Sequence, residues 1–517
     1  MRYRAPIFGL WILHAFLLHW FYLGSISWDG FTYRIPPIVE LVQHGHYHLE
    51  KYNQWAFAGY VPFPELVHAP FLYVFKAPGV LVGYGLVVFP LCAMAVFALV
   101  RELTGDARAG AFGAVAYVAI PMVNQQAFSG YIDFLVIGVL AFFVYTVVRL
   151  RNRTSTARAL GLVVLGTFLF TMARAQGVYV SAMLVPVLTY ALFIERKGLR
   201  FKVVDRKAIA ILAAGWLLAS VPAVAIQVHK YRLYGTPIHP FQFKLLGITI
   251  GNGISQEWLY SFGDLKDFSF GSFARSSLRS WIWPQRLEAF FDSRDLGGGW
   301  ILPLALVLVP VFYRARNRLS VWLVVSCLGM SFVAKDFWLP RYAYTLNLAL
   351  IIVIGSGLAA LTHSRQGRWL FWFGNALLLA HLARPEYDLV ALSTGIGPRL
   401  NVTNSSAFSW GPGGIEMFPD QAAKLVIVDQ NQQGFLLPLY GRNLTNEVVR
   451  TVKKENLGES CSGLTSTLAD NPNVLFVDDH DYTKDCARDC AIRTPHHGEC
   501  RAFRINPGLP AASAPPP

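Results

Sequence analysis

Ser25-Ile26-Ser27-Trp28-Asp29-Gly30-Phe31-Thr32-Tyr33-Arg34 ends an apolar run that begins at Ile7 and contains no Asp, Glu, Lys or Arg. A helix needs about 20 such residues to cross a bilayer. The chain thus leaves a membrane and presents a carboxylate, a tyrosine and an arginine together. A plain linker needs none of the three, and a carboxylate beside an apolar phase is costly unless it is hydrogen bonded or working.

The rest of the chain repeats the apolar theme. Of its 517 residues, 54% are hydrophobic and 15% charged, with a mean hydropathy of +0.40. Soluble domains carry roughly a quarter charged residues. Hydropathy predicts an α-helical polytopic membrane protein of about eleven spans, near 7–26, 76–99, 107–123, 132–149, 158–174, 177–194, 208–228, 300–313, 319–334, 342–361 and 368–384. The net charge of +14 is not gathered into one basic domain, so nucleic acid is not the expected partner. Basic residues cluster in alternate connections: Arg2 and Arg4; Arg101 and Arg108; Arg149, Arg151, Arg153 and Arg158; Arg196 to Lys207; Arg314 to Arg318; Arg365 and Arg368. By the positive-inside rule these are cytoplasmic, which puts the N-terminus inside and the C-terminus outside.

Residues 1–385 then form a membrane domain with outer loops 27–75 and 229–299, residues 386–508 a small outer domain, and 509–517 an unstructured tail rich in Pro and Ala. In the outer domain, Leu425–Val428 and Val474–Val477 read as strands, and Val449–Val452 as a weaker third, giving a small mixed α/β module. Cys92 and Cys327 sit in apolar helices as small buried hydrophobes. Cys461, Cys486, Cys490 and Cys500 all fall in the outer region, where two disulfides with three possible pairings are expected. A metal site built on Cys486, Cys490, His496, His497 and Cys500 is the rival reading. The chain has no Walker loop, dinucleotide fingerprint or zinc-protease motif, and no internal repeat. The sequons at Asn401, Asn404 and Asn443 depend on the host's machinery.

The candidate chemistry lies at one membrane edge. Asp29 follows the first span, and Asp133 opens the span at 132–149, on the same side; a helix cap is the simpler reading of Asp133. Arg34, Arg174, Lys230, Arg232, Lys335 and Arg341 share that side and suit a lipid-linked phosphate, although each taken alone could snorkel to headgroups. Glu65 and His68 could share a helix face at i, i+3 and hold an acceptor or a divalent metal ion.

These motifs resemble the GT-C superfamily of polyprenyl-phosphate-sugar glycosyltransferases, in particular the protein O-mannosyltransferases and the lipid A aminoarabinose transferase. The matching pieces are Trp28-Asp29-Gly30-Phe31-Thr32-Tyr33-Arg34-Ile35-Pro36, Pro64-Glu65-Leu66, Tyr131-Ile132-Asp133, Tyr234-Gly235-Thr236-Pro237-Ile238-His239-Pro240-Phe241 and Pro340-Arg341-Tyr342. The resemblance implies Asp29 as general base, with Asp133 and Glu65 as further acidic groups of the catalytic site. It also implies substrate contacts from Tyr33, Arg34, His68, Tyr131, Arg174, Lys230, Arg232, Lys335 and Arg341. The implied partners are a polyprenyl-phosphate-linked sugar donor, a glycan, lipid or protein acceptor, and membrane lipids. The implied location is the outer, periplasmic face of a bacterial cytoplasmic membrane. Relatives commonly carry His where this chain has Arg34, which leaves metal dependence open. A transporter or flippase for a lipid-linked or anionic substrate is the alternative, since cavity charges among many spans also suit substrate movement.

Overall fold

The computed structural model of the chain describes residues 35–45, 66–75, 84–127, 132–152, 155–174, 177–197, 200–203, 205–236, 241–245, 248–251, 254–255, 281, 301–315, 318–334, 343–362, 407–408, 415–416, 421–429, 445–453, 474–477, 486–493 and 500–510. Its helices are α1 (Pro36–His44), α2 (Ala69–Phe75), α3 (Tyr84–Thr104), α4 (Ala107–Val118), α5 (Pro121–Ala127), α6 (Asp133–Arg149), α7 (Thr156–Ala173), α8 (Gly177–Phe193), α9 (Arg206–Tyr234), α10 (Ile301–Ala315), α11 (Arg318–Ala334) and α12 (Tyr344–Leu361). The chain divides into two compact units, Met1–Phe21 with Gly85–Ile396, and Tyr22–Tyr84 with Gly397–Pro517.

The expectation of eleven membrane-spanning helices is corrected. Among the described residues, four helices are long and apolar enough to cross a membrane: Val87–Thr104, Thr156–Ala173, Arg206–Arg232 and Tyr344–Leu361. Gly177–Phe193, Ile301–Ala315 and Leu319–Ser331 are apolar but shorter. The run at 107–123 is two helices, because Pro121 has no N–H to continue α4 and disfavours helical backbone at Ile120 before it. Hydropathy scores apolar content, and apolar content alone does not supply the unbroken length a crossing needs. The runs at 7–26 and 368–384 lie outside the described residues.

In the first unit, α6 and α12 are apolar almost all round and correspondingly buried, the pattern of core helices. Backbones come close where side chains are missing. A methyl on Gly355 of α12 would sit 2.8 Å from the carbonyl oxygen of Ala109 in α4, and one on Gly113 would meet Val100 of α3. Tyr117 donates its hydroxyl to the Phe134 carbonyl at 2.9 Å, tying α4 to the start of α6. Between α8 and α9 the chain forms an antiparallel hairpin of β1 (Ile194–Lys197) and β2 (Arg200–Val203), which turns it back on itself. Helix α9 ends at Gly235, whose φ of 72° is left-handed and whose N–H bonds the Tyr231 carbonyl. Beyond it, β3 (Phe241–Leu245), β4 (Ile248–Gly251) and β5 (Ile254–Ser255) make a small sheet in the order β4-β3-β5.

The second unit holds a short hairpin, β6 (Ala407–Phe408) with β7 (Ile415–Glu416), and an open mixed sheet. The sheet's strands are β8 (Lys424–Asp429), β9 (Glu447–Lys453), β10 (Val474–Val477), β11 (Cys486–Arg493) and β12 (Cys500–Pro510), in the order β11-β12-β10-β8-β9. Strand β8 pairs in parallel with β9 and β10, while β12 runs antiparallel to β10 and β11. Leu425, Val426, Val448, Val474, Phe476 and Phe503 are buried on the sheet. Buried Asn446 holds the entry to β9: its Oδ1 accepts from the N–H groups of Gln421 and Ala423, both at 3.1 Å. Its carbonyl accepts from Gln43 Nε2 of α1 at 2.9 Å. Cys490 and Cys500 form a disulfide across the β11–β12 hairpin, so those two sulfurs are not free to ligate a metal.

Candidate functional site

At the start of α6, Ile132 occupies the cap position without a side chain able to bond the helix N–H groups. Gln126, fully buried at the end of α5, supplies the missing acceptor: its Oε1 receives the Phe134 N–H at 2.9 Å. The same amide donates from Nε2 to Asp133 Oδ2 at 3.3 Å. Asp133 is therefore not a cap. Its carboxylate turns to Arg174, the residue that ends α7, whose Nη1 donates to Oδ1 at 2.7 Å.

This is a desolvated ion pair, with Asp133 1% and Arg174 7% exposed. The short distance marks a charge-assisted hydrogen bond. Attraction in the interior offsets desolvation only where the remaining polar atoms also find partners, which Gln126 helps to provide. Asp133 also stands in the first turn of α6, where the helix dipole favours a negative charge. Arg174 leaves α7 in an extended conformation, with its carbonyl accepting the Gly177 N–H at 2.8 Å. Its guanidinium lies 5.9 Å from the ring centroid of Tyr344, the first residue of α12. Phe170 packs edge-on against that ring. Four helix ends thus meet around one buried carboxylate–guanidinium pair.

Of the residues nominated from sequence, Asp133 and Arg174 are brought together. Lys230 is buried near the end of α9, and Arg232 two positions on is exposed. His68 is buried in the second unit, with its carbonyl accepting the Leu72 N–H at the head of α2. Cys490 and Cys500 are bonded to each other. Cys486 lies in β11. Asp29, Tyr33, Arg34, Glu65, Tyr131, Lys335, Arg341 and Cys461 lie outside the described residues. Among the described residues no group of three or more His, Cys, Asp or Glu side chains could hold a metal ion.

Sequence reading missed Gln126 and Tyr344. Gln126 closes the polar stretch Asn124-Gln125-Gln126 after an apolar run, a visible signal. Tyr344 follows Pro340-Arg341-Tyr342 by two residues, but an aromatic at a helix start carries no signature of a cation above its ring.

No protein-family model matches the chain, and no curated protein matches it in sequence. Solved structures do match. The apo form of the Archaeoglobus fulgidus oligosaccharyltransferase aligns with a TM-score of 0.51 at 12% identity, over 93% of this chain and 70% of that one. ArnT from Cupriavidus metallidurans, both bound to undecaprenyl phosphate and in the apo state, aligns with a TM-score of 0.51 at 14% identity. That match spans 97% of this chain and 98% of ArnT, so the two agree nearly end to end. Identities this low speak for architecture alone. The chain shares the fold of these two solved proteins, and among its described residues four helices are long and apolar enough to cross a membrane.

Proposed function

We propose that the protein is an inverting glycosyltransferase that moves a sugar from a polyprenyl-phosphate-linked donor to an acceptor at the outer face of the cytoplasmic membrane. The observation that carries this reading is the nearly end-to-end match to ArnT, a protein whose structure was solved with undecaprenyl phosphate bound. The sequence motifs around Asp29, Glu65, Asp133 and Arg341 add to it.

In this reading the acceptor's hydroxyl or amine attacks the anomeric carbon, and its proton passes to the Asp29 carboxylate. The bond from the anomeric carbon to the phosphate oxygen breaks as the new one forms. The electron pair leaves with the polyprenyl phosphate, which is stable as an anion and needs no general acid. A single displacement with the base opposite the leaving group inverts the anomeric configuration, as in inverting glycosidases. General-base help is worth roughly 10²–10⁴ in rate. By the family resemblance, Arg341 serves as a phosphate contact, Glu65 joins Asp29 and Asp133 as an acidic group of the site, and Tyr33, Arg34, His68, Tyr131, Lys230, Arg232 and Lys335 are substrate contacts. Asp133 acts by position: with Arg174 on one oxygen and Gln126 on the other, it fixes the guanidinium and the start of α6.

The test is transfer from a panel of radiolabelled polyprenyl-phosphate sugars into membrane glycans, with purified wild type beside Asp29→Asn. Incorporation that falls at least a hundredfold in a stably folded Asp29→Asn variant is the expected result. Equal incorporation by both sinks the general-base assignment. No incorporation from any donor by wild type sinks the reading as a whole.

A further inference from the structure

The second compact unit joins two distant parts of the chain, residues 22–84 and residues 397–517. The first part contains the Asp29 motif in its sequence and, directly after it, α1. The second part contains the mixed sheet. The last turn of α1 is where the two are fastened.

Gln43 Nε2 donates to the Asn446 carbonyl at 2.9 Å, and His44 Nε2 lies 3.8 Å from Oε1 of Glu447, the first residue of β9. Gly45, with a left-handed φ of 73°, closes the helix there, and its N–H bonds the Leu41 carbonyl. A protonated His44 would face both the Glu447 carboxylate and the negative end of the helix dipole. The receiving side is already fixed. Asn446 is fully buried, its Oδ1 holds the Gln421 and Ala423 N–H groups, and the Glu447 N–H donates to the Ala423 carbonyl at 2.8 Å. From there β9 runs in parallel register with β8, Glu447 opposite Lys424 and Val448 opposite Leu425. Gln43 thus bonds main chain that belongs to the sheet, rather than a side chain that could rotate away.

The other end of α1 passes this constraint on. Pro36 and Pro37 occupy its first two positions, where their rings fix φ and stiffen the entry of the chain. Ile35, Ile38 and Val39 are buried, and α1 packs against α2, whose Leu72 is fully buried. Gln43 lies seven residues after Pro36. A helix that short is a rod of about 10 Å. Asp29 comes seven residues before Pro36, so six residues stand between it and the rod. Catalytic groups tolerate little displacement, since a misplacement of about 1 Å can cost roughly a hundredfold in rate.

We infer that Gln43 is a positioning residue for the proposed general base: through its bond to the Asn446 carbonyl, the C-terminal sheet sets where α1 stands, and with it the segment that carries Asp29. The His44–Glu447 contact steadies the same end of the helix. The inference rests on the glycosyltransferase reading and gives the sheet a part in the chemical step rather than in acceptor binding.

The experiment is steady-state transfer by the full chain in nanodiscs, using the radiolabelled undecaprenyl-phosphate sugar that wild type transfers best and extracted membrane glycans as acceptor, each varied in turn. Gln43→Leu removes the donor at similar volume and should lower kcat about tenfold, with both KM values close to wild type. Gln43→Glu sets a carboxylate against the Asn446 carbonyl and should lower kcat at least as far. His44→Glu should lower it less, and His44→Glu with Glu447→Lys should regain most of that loss. Amide exchange gives a readout independent of turnover: it should quicken over Gly30–Arg34 in Gln43→Leu while that of α12 stays unchanged. Wild-type transfer with an unchanged kcat in Gln43→Leu, or unchanged exchange over Gly30–Arg34, overturns the inference and leaves the glycosyltransferase reading standing. A raised acceptor KM at unchanged kcat overturns it in favour of a sheet that binds acceptor. Wild type silent with every donor overturns the glycosyltransferase reading and this inference with it.

Discussion

Arg174 Nη1 donates to Asp133 Oδ1 at 2.7 Å, and the two residues are 41 positions apart in the chain. The pair therefore fastens the end of α7 to the beginning of α6 at a point removed from water. Removing one partner leaves a buried charge uncompensated. Arg174→Met or Asp133→Leu alone should each cost about 3–5 kcal/mol. The double variant should cost less than either single change. Unfolding in detergent of the four proteins of this cycle measures the coupling, and additive losses would refute it.

Asn446 uses both its side-chain oxygen and its carbonyl to hold neighbouring segments. Asn446→Ala leaves the Gln421 and Ala423 N–H groups without their acceptor, at about 0.5–1.5 kcal/mol for each bond, since Gln421 is exposed and Ala423 half-buried and water can replace part of what is lost. Amide exchange at those two positions should accelerate while that of α12 stays unchanged.

The hairpin of β11 and β12 is closed by Cys490–Cys500, ten residues apart. Replacing both with Ser should lower the stability of the sheet unit by roughly 2–4 kcal/mol. Peptide mapping without reductant should recover a 490–500 cross-link. A cross-link from either residue to Cys461 or Cys486 instead would contradict the pairing.

Gly355 of α12 faces the Ala109 carbonyl of α4, and the obstacle is backbone rather than a side chain that could swing aside. Gly355→Ala should push the helices apart at about 1–3 kcal/mol, in spite of alanine's better helix propensity. A gain in thermal stability would show that the helices can part cheaply.

The sequence made some of this visible and hid the rest for physical reasons. Asp133 and Arg174 could be nominated separately, because ionisable groups at the ends of apolar runs stand out. Their pairing could not, since it depends on how α6 and α7 pack. Val474–Val477 announced itself by its β-branched and aromatic residues. Strands β11 and β12 did not, because CARDCAIR and CRAFRINPGLP carry charges, glycine and prolines that read as loop, and the disulfide offsets their weak propensity. The number of spans was misjudged where apolar content and helix length part company, as at Ile120-Pro121.

The bond from Gln43 to the Asn446 carbonyl joins residues 403 apart. At about 5–20 residues per second, a ribosome takes roughly 20–80 s to make the second partner after the first. Through that interval α1 is already synthesised while the strand that receives it does not yet exist. This part of the sheet unit can therefore assemble only after almost the whole chain has been translated, late in biosynthesis and through a contact of very long range. Truncations before residue 446 remove the receiver while leaving α1 as an orphan for quality-control proteases.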